Sequence, residues 1–118
     1  MDQLTVYVVD DSKDAADSLA TLLGLMGHHA HPFYSGADAL ARAQTEPPHC
    51  VMLDINMAGM DGLELAHRFR EQFGDDVILV AITGSPADDP RVKATFVTVD
   101  HYFVKPVTLE QIQKLFPE

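Results

Sequence analysis

The sequence predicts an α/β domain built around a parallel sheet. Apolar runs of strand length alternate with stretches of helical periodicity, which is the pattern of consecutive βαβ units. The first run, Leu4–Val9, is almost unbroken and rich in β-branched residues, as in strands that helices cover on both faces. With 118 residues and 47% hydrophobic composition, the chain is predicted to form one domain over residues 1–118.

The predicted elements can be placed in order from these runs and from capping residues. The strands are predicted at Leu4–Val9, His29–Phe33, Cys50–Leu53, Val77–Ile82 and Tyr102–Val104. Helix starts are predicted at Ser12, at Ser35, at Asp61 with Glu64, and at Thr108 with Gln111. Gly27 and Gly74 suit helix ends, and Pro90 limits any helix within residues 86–99 to a short one.

Composition excludes several classes of protein. The chain has 8 basic and 18 acidic residues, a net charge of −10, so it lacks the clustered Lys and Arg that nucleic-acid binding requires. No apolar run reaches the length of a membrane span, and the polar start Met1-Asp2-Gln3 is unlike a signal peptide. A cytoplasmic protein that does not bind membranes is therefore predicted, with Cys50 as a buried, reduced thiol.

Polar residues follow the predicted strands where ligands bind in parallel α/β sheets, at the carboxyl ends. They are Asp10, Asp11, Asp54, Thr83 and Lys105. Crowded carboxylates repel one another unless a cation lies among them, and an all-oxygen set favours Mg²⁺. Asp11, Asp54 and the carbonyl of Asn56 would form a partial shell. A metal ion, an ammonium and a hydroxyl around one carboxylate suit phosphoryl transfer, with Asp54 as the nucleophile.

These residues resemble the receiver domains of two-component response regulators. The similarity covers nearly the whole chain, through Asp10-Asp11, Asp54, Met57, Met60-Asp61-Gly62, Thr83-Gly84, Tyr102 and Lys105-Pro106. The resemblance implies a doubly wound, flavodoxin-like (βα)5 fold with parallel strands in the order 2-1-3-4-5 and five helices. It also implies a cis peptide between Lys105 and Pro106.

The resemblance further assigns roles to the site residues. Asp54 would accept a phosphoryl group from a histidine kinase or a histidine phosphotransfer protein. Mg²⁺ would bind Asp11, Asp54 and the Asn56 backbone carbonyl directly, and Asp10 through water. Lys105, Thr83 and the backbone amides of Asn56 and Gly84 would contact the phosphoryl oxygens.

A switch is also implied, in which Thr83 moves toward the phosphoryl group and Tyr102 rotates inward. This would alter a surface of the fourth helix, fifth strand and fifth helix that is read by a downstream protein or an attached output domain. Dimerisation through this surface is left open. The protein would catalyse only its own phosphorylation and dephosphorylation, and so would not be an enzyme with an outside substrate.

Two stretches, residues 14–19 and 100–107, are most similar to receivers attached to hybrid sensor histidine kinases. The chain would then be part of a longer multidomain protein, with a free-standing receiver in a phosphorelay as the alternative. Two departures from the family pattern stand out. Ala58 stands where many family members have a proline. Thr98-Val99 stands where a Gly-Ala pair usually ends the fourth helix, so we expect that helix to be short or irregular.

Two other functions compete with this interpretation. A haloacid dehalogenase-type phosphatase would need a second Asp where Asn56 stands, and a docking-only pseudo-receiver would typically lack an acidic or Lys position. Histidines suggest no second site. His28, His29 and His31 are predicted in a solvated loop without a carboxylate partner, and His49 and His67 on the surface. Met57 and Met60 would either face a kinase or pack over the site.

Overall fold

The structure, a computed structural model, describes residues 4–55, 57, 62–84, 98–105 and 107–115. Strands and helices alternate from the first strand to the fourth, as predicted, and the residues between the fourth and fifth strands lie largely outside the described ranges. In chain order they are β1 (Thr5–Val9), α1 (Lys13–Leu25), β2 (His29–Phe33), α2 (Gly36–Ala43), β3 (Cys50–Asp54), α3 (Gly62–Phe73), a 3-10 helix (Gly74–Asp76), β4 (Ile78–Thr83), β5 (His101–Val104) and α4 (Leu109–Leu115). No helix within the described ranges is long and apolar enough to cross a membrane.

The five strands form one parallel sheet in the order β2-β1-β3-β4-β5, which confirms the predicted topology. The order reverses between β1 and β3, so these two strands lie side by side although a whole βα unit separates them in the chain. Val9 is in register with Leu53. The residues that follow them are therefore neighbours at the carboxyl edge of the sheet.

Apolar side chains cover both faces of the sheet. On one face, alternate residues of the central strands pack with α2 and α3: Tyr7, Val9, Val51, Leu53, Leu79, Ala39, Ala43, Leu65, Ala66 and Phe69. On the other face, the intervening residues pack with α1 and α4: Val6, Val8, Cys50, Met52, Val80, Ala16, Leu23 and Ile112. Double coverage explains why the central strands are continuous apolar runs instead of alternating ones. Burial also raises the pKa of the Cys50 thiol, which is consistent with an unreactive, reduced cysteine.

Side-chain caps fix the starts of three helices where the sequence predicts them. The hydroxyls of Ser12 and Ser35 each accept a hydrogen bond from the backbone N–H three residues later. Before α4, the Thr108 hydroxyl accepts from the Gln111 N–H while the Gln111 side chain accepts from the Thr108 N–H. This reciprocal pair is a complete capping box.

Strand limits differ slightly from the prediction. β4 begins and ends one residue later than predicted and includes Thr83, and β5 begins at His101. Asp61 and residues 86–97 lie outside the described residues. The Asp61 cap and the predicted short helix within segment 86–99 therefore stay predictions. The described residues contain four α-helices, compared with the five that the resemblance implies.

The prediction that His28, His29 and His31 lie in a solvated loop is wrong, whereas the predicted strand His29–Phe33 is confirmed. His28 is buried, and His29 and His31 are strand residues in β2 instead of members of a solvated loop. Glu46, from the connection after α2, provides the carboxylate partner that the sequence did not suggest. The prediction failed because the fold brings distant residues together. His49 and His67 are exposed, as predicted, and His101 is exposed at the start of β5.

Arg70 fastens the end of α3 to the residues that lead into β5. Its guanidinium donates hydrogen bonds to the carbonyls of Gly74, Val77 and Thr98 and to the carboxylate of Asp100. The ion pair with Asp100 measures 2.9 Å. One side chain therefore satisfies several backbone acceptors at once and sets the start of β5.

We expect Arg70→Met to lower the free energy of unfolding by about 1–3 kcal/mol, because it leaves these acceptors without their donor. Urea denaturation would measure the loss. Arg68→Met is the matched control on the same helix, since among the described residues Arg68 makes only an exposed pair with Glu64, and we expect it to cost less than about 0.5 kcal/mol. Equal losses for the two variants would contradict the assigned role of Arg70.

The same variant should show a pH dependence. Partial burial raises the pKa of Asp100, but hydrogen bonds from the Leu79 N–H and Arg70 lower it by more, so the net shift is downward. A lowered pKa contributes stability above the ordinary carboxyl pKa, and that stability is lost as pH falls through the folded value. The difference in free energy of unfolding between wild type and Arg70→Met, measured by urea denaturation at a series of pH values, should therefore become smaller below about pH 4.

Candidate functional site

The structure brings the predicted polar residues to one edge of the sheet. Asp10 and Asp11 follow β1, Asp54 ends β3, Thr83 ends β4 and Lys105 follows β5. Each position results from the parallel arrangement, because the carboxyl ends of all strands meet at this edge. The edge therefore combines carboxylates, a hydroxyl and an ammonium.

Three carboxylates form the acidic part of the site. Oxygen atoms of Asp10, Asp11 and Asp54 all lie within 4.8 Å of one another. Asp10 and Asp54 are only 7% and 6% exposed, whereas Asp11 is open to solvent. Carboxylates held this close repel one another, and a hard divalent cation relieves that repulsion. The donor set, all oxygen and partly open to water, fits Mg²⁺.

Lys105 supplies the positive charge on the other side of the cluster. Its Nζ lies 3.2 Å from Oδ2 of Asp10 and 3.5 Å from Oδ2 of Asp54. Partial burial lowers the pKa of Lys105, but the charges of Asp54 and Asp10 outweigh this effect and raise it above its ordinary value. Lys105 is therefore charged at neutral pH. Its backbone N–H also donates to the carbonyl of Thr83 at 2.7 Å.

Backbone hydrogen bonds hold Asp10 in a fixed orientation. The Asp10 N–H donates to the carbonyl of Phe33 at 3.0 Å, which extends the pairing of β1 with β2. Its Oδ1 accepts from the Ser12 N–H at 2.9 Å, while Oδ2 contacts Lys105. Ser12 thus both caps α1 and orients a site carboxylate, so α1 and the site share one anchoring point.

Thr83 and Tyr102 lie on the same face of two adjacent strands. Tyr102 is in register with Ala81, and Thr83 with Val104, two residues further along. Because side chains alternate along a strand, Ala81 and Thr83 share a face with Tyr102. The Tyr102 ring packs against Ile55 and Ala81, its hydroxyl oxygen is shielded from solvent, and Thr83 is fully buried.

A cavity of about 580 Å³ opens beside the cluster, between α1 and the sheet. Its walls include Leu19, Leu22 and Met52 together with Asp10 and Asp54. The two nearly buried carboxylates are therefore reached from a concave surface.

Several predicted residues cannot be placed. Asn56, Ala58, Met60, Asp61 and Pro106 lie outside the described residues, so the Asn56 backbone roles and the cis peptide at Lys105-Pro106 stay predictions. Met57 is described and only 8% exposed, packed in the apolar layer beneath the site. Of the two interpretations of Met57, packing is therefore the one observed.

A family model for the response regulator receiver domain matches residues 6–116, which include Asp10, Asp11, Asp54, Thr83 and Lys105. The chain belongs to the response regulator receiver family. Receiver domains are generally phosphoacceptor switches and bind Mg²⁺ through acidic residues. The acidic cluster of this receiver has the composition that such binding needs.

Curated relatives support the same assignment. Response regulator MprA of Mycobacterium avium is 29% identical over 109 residues, covering 92% of this chain and 47% of the relative. MprA of Mycobacterium tuberculosis is 30% identical over 107 residues, covering 91% of this chain and 46% of the relative. The receiver thus spans about half the length of these relatives.

Solved structures share the fold. A CheY-like receiver domain from Methylobacillus flagellatus has a TM-score of 0.86 at 26% identity, covering 97% of this chain and 96% of its own. Chemotaxis protein CheY4 of Vibrio cholerae has a TM-score of 0.82 at 26% identity, with coverage of 97% and 96%.

Gly62 lies beside the site, and the sequence alone does not show why this position needs a glycine. A Cβ at this position would overlap with the Asp54 carbonyl oxygen and would lie only 2.6 Å from the Ile55 Cα, which is too close for two non-bonded carbon atoms. The Gly62 N–H donates to the Ile55 carbonyl at 3.1 Å. The first residue of α3 therefore lies directly against the backbone of Asp54 and Ile55, and only glycine allows that approach.

We expect Gly62→Ala to lower the free energy of unfolding by about 1–3 kcal/mol, because the added methyl group must displace the end of β3. Chemical denaturation measures this change. Gly24→Ala in α1 is the control, since a Cβ there meets nothing within 4 Å, and it should raise stability by up to about 1 kcal/mol. A neutral or stabilising Gly62→Ala would show that the close approach does not constrain the receiver.

Proposed function

We propose that Asp54 of this receiver takes a phosphoryl group from a phosphohistidine on a histidine kinase or a histidine phosphotransfer protein. The main support is the environment of the nearly buried Asp54 carboxylate. The Lys105 Nζ lies 3.5 Å from its Oδ2, and carboxylate oxygens of Asp10 and Asp11 lie within 4.8 Å. An Asp54 oxygen attacks phosphorus, a P–O bond forms as the P–N bond of phosphohistidine breaks, and the imidazole leaves with the electron pair. The receiver acts only on itself in this reaction.

The acidic cluster would hold Mg²⁺, with Asp11, Asp54 and the Asn56 carbonyl as direct ligands and Asp10 through water. When bound, the ion neutralises charge on the transferring phosphoryl oxygens. The orientation of Asp10 supports an indirect role, because its Oδ1 accepts from the Ser12 N–H and its Oδ2 contacts Lys105.

Lys105 and Thr83 would stabilise the phosphorylated aspartate. The Lys105 ammonium, already near Asp54, pairs with phosphoryl oxygens, and the Thr83 hydroxyl with the amides of Asn56 and Gly84 supplies hydrogen-bond donors. The Lys105 ammonium lies beside Asp54 before the reaction, as electrostatic stabilisation of a transferring phosphoryl group requires.

Intact-protein mass after incubation with a small acyl-phosphate donor and Mg²⁺ tests the proposal. We expect one phosphoryl adduct that needs the metal and disappears in Asp54→Asn. Asp11→Asn should slow adduct formation by about tenfold or more, because it removes a metal ligand. The matched control is Asp14→Asn, since Asp14 is exposed in the first turn of α1.

Each outcome of this experiment decides between hypotheses. An adduct on Asp54→Asn would assign the acceptor elsewhere. No adduct on wild type, from the acyl phosphate or from a phosphohistidine donor, would reject the phosphoacceptor function and favour a receiver that only docks other proteins.

Thr83 and Tyr102 would carry the signal from the phosphoryl group to the surface. Movement of the Thr83 hydroxyl toward the phosphoryl oxygens frees space on the face that Tyr102 shares, and the ring turns inward. Their placement on one face of β4 and β5 supports this coupling. The rotation would change the surface around β5 and α4, where a downstream protein or output domain would bind.

NMR of ¹³C-labelled tyrosine tests the switch, with beryllium fluoride and Mg²⁺ as a stable phosphoryl mimic. We expect the Tyr102 ring signals to shift in wild type and to shift much less in Thr83→Ala. Tyr7 is the internal control, because it is fully buried in β1, which β3 separates from β4 and β5. A Tyr102 shift of equal size in both proteins would separate the ring from Thr83 and overturn the coupling.

The proposal also covers the longer protein to which this receiver would belong. As a family, response regulators interact with histidine kinases and output domains. The similarity of residues 14–19 and 100–107 to hybrid-kinase receivers supports attachment to a sensor kinase, with residues 1–118 as one domain of a longer, cytoplasmic chain. A free-standing receiver in a phosphorelay is the alternative.

A further inference from the structure

Two histidines project from the edge strand of the sheet. His29 and His31 are separated by one residue in β2 and therefore lie on the same side of the strand. Their ring centroids are 4.6 Å apart, with an angle of 79° between the planes. β2 pairs only with β1, so one flank of the strand is unobstructed within the described part of the sheet.

Glu46 reaches these histidines from the connection after α2. The hydroxyl of the buried Tyr7 donates to the Glu46 backbone carbonyl and fixes its position. Arg42 donates to Oε1 of Glu46 from Nε at 3.2 Å and from Nη2 at 2.8 Å. Oε2 is then directed toward His31, whose Nε2 is 3.5 Å away. Hydrogen bonds from Arg42 also keep the pKa of Glu46 below its ordinary value, so the carboxylate is charged.

The three donor atoms converge, with the His31 Nε2 and Glu46 Oε2 at ion-pair distance but without a hydrogen bond between them. One ligand atom from each of His29, His31 and Glu46 lies within 4.8 Å of the other two. The His31 Nε2 is shielded from solvent and has no hydrogen-bond partner among the described residues. A buried imidazole nitrogen facing a carboxylate at this separation has room for an ion between the two atoms.

We propose that His29, His31 and Glu46 form a second metal site, selective for Zn²⁺, with a fourth position open to water. Two imidazoles and one carboxylate are a known ligand set for Zn²⁺, whereas Mg²⁺ prefers oxygen ligands alone. Arg42 orients the carboxylate through its second oxygen, and Tyr7 positions Glu46 and packs edge-on against His31 at 6.0 Å.

This site is separate from the acidic cluster. His29 begins β2, at the amino end of the strands, while Asp10 and Asp54 lie at the carboxyl ends. The other four described histidines are not in this group of converging ligand atoms. Among them, the His49 Nδ1 accepts from the Thr5 N–H, and His67 is exposed on α3. Zn²⁺ binding can therefore be tested independently of phosphorylation.

Calorimetric titration of Zn²⁺ into the tag-free, metal-free chain tests the inference, with Mg²⁺ present in saturating amount to occupy the acidic cluster. We expect one equivalent of Zn²⁺ to bind. His29→Gln and His31→Gln should each weaken binding by about tenfold or more, and Arg42→Gln by about tenfold through loss of orientation. His67→Gln is the matched control and should leave the affinity unchanged.

A second readout locates the ion directly. Zn²⁺ should shift the imidazole nitrogen signals of His29 and His31 in ¹⁵N NMR and leave that of His67 in place. Because His29 is exposed, its substitution does not disturb the core. Binding that persists in both His29→Gln and His31→Gln, or no uptake of Zn²⁺ by wild type at a large molar excess, would overturn the proposal.

Discussion

Parallel pairing of β1 with β3 is the constraint on which the receiver's site depends. The register that joins Val9 to Leu53 places the carboxylates that follow these strands beside each other at one edge. A slip of one residue would turn the apolar side chains of β3 to the opposite layer. Both layers are apolar, so polarity alone does not set the register. The fit of Tyr7 and Leu53 to the α2–α3 layer, and of Met52 to the α1–α4 layer, does so instead.

This geometry places like charges together, and the rest of the edge offsets the cost. Lys105 contacts two of the three carboxylates, and its own position depends on the pairing of β5 with β4, because Lys105 follows β5 and its N–H donates to the carbonyl of Thr83 at the end of β4. β5 is in turn held where it begins by Arg70 and Asp100. The charge balance at Asp54 therefore depends on a chain of contacts that starts in α3, on the other side of the sheet. One lysine cannot neutralise three carboxylates, so the cluster remains suited to a divalent cation.

Local patterns were sufficient to predict the Ser12 and Ser35 caps, the capping box before α4 and the polar residues at the strand ends, because each of these depends on neighbours along the chain. The strand order was implied only by the resemblance to the receiver family. Gly62, Arg70 and Glu46 were not predicted, because their roles appear only when distant elements meet. Gly62 resembles any helix-start glycine until the Asp54 carbonyl is placed beside it. Glu46 resembles an ordinary loop carboxylate until β2 lies alongside it.

On the proposed function, in which Asp54 receives a phosphoryl group, the charge of the chain bears on how the donor reaches this carboxylate. A net charge of −10 repels an anionic donor at long range, and salt screens this repulsion beyond about 10 Å. Attraction would therefore arise close to the site, where the Lys105 ammonium presents positive charge to the incoming phosphoryl oxygens, as would a cation held by the acidic cluster. Asp54 is 6% exposed, so a donor must also enter the edge of the sheet before its phosphorus can meet the carboxylate. Short-range complementarity, rather than general electrostatic steering, then selects the partner, because only a surface shaped to this edge can bring a phosphohistidine within reach.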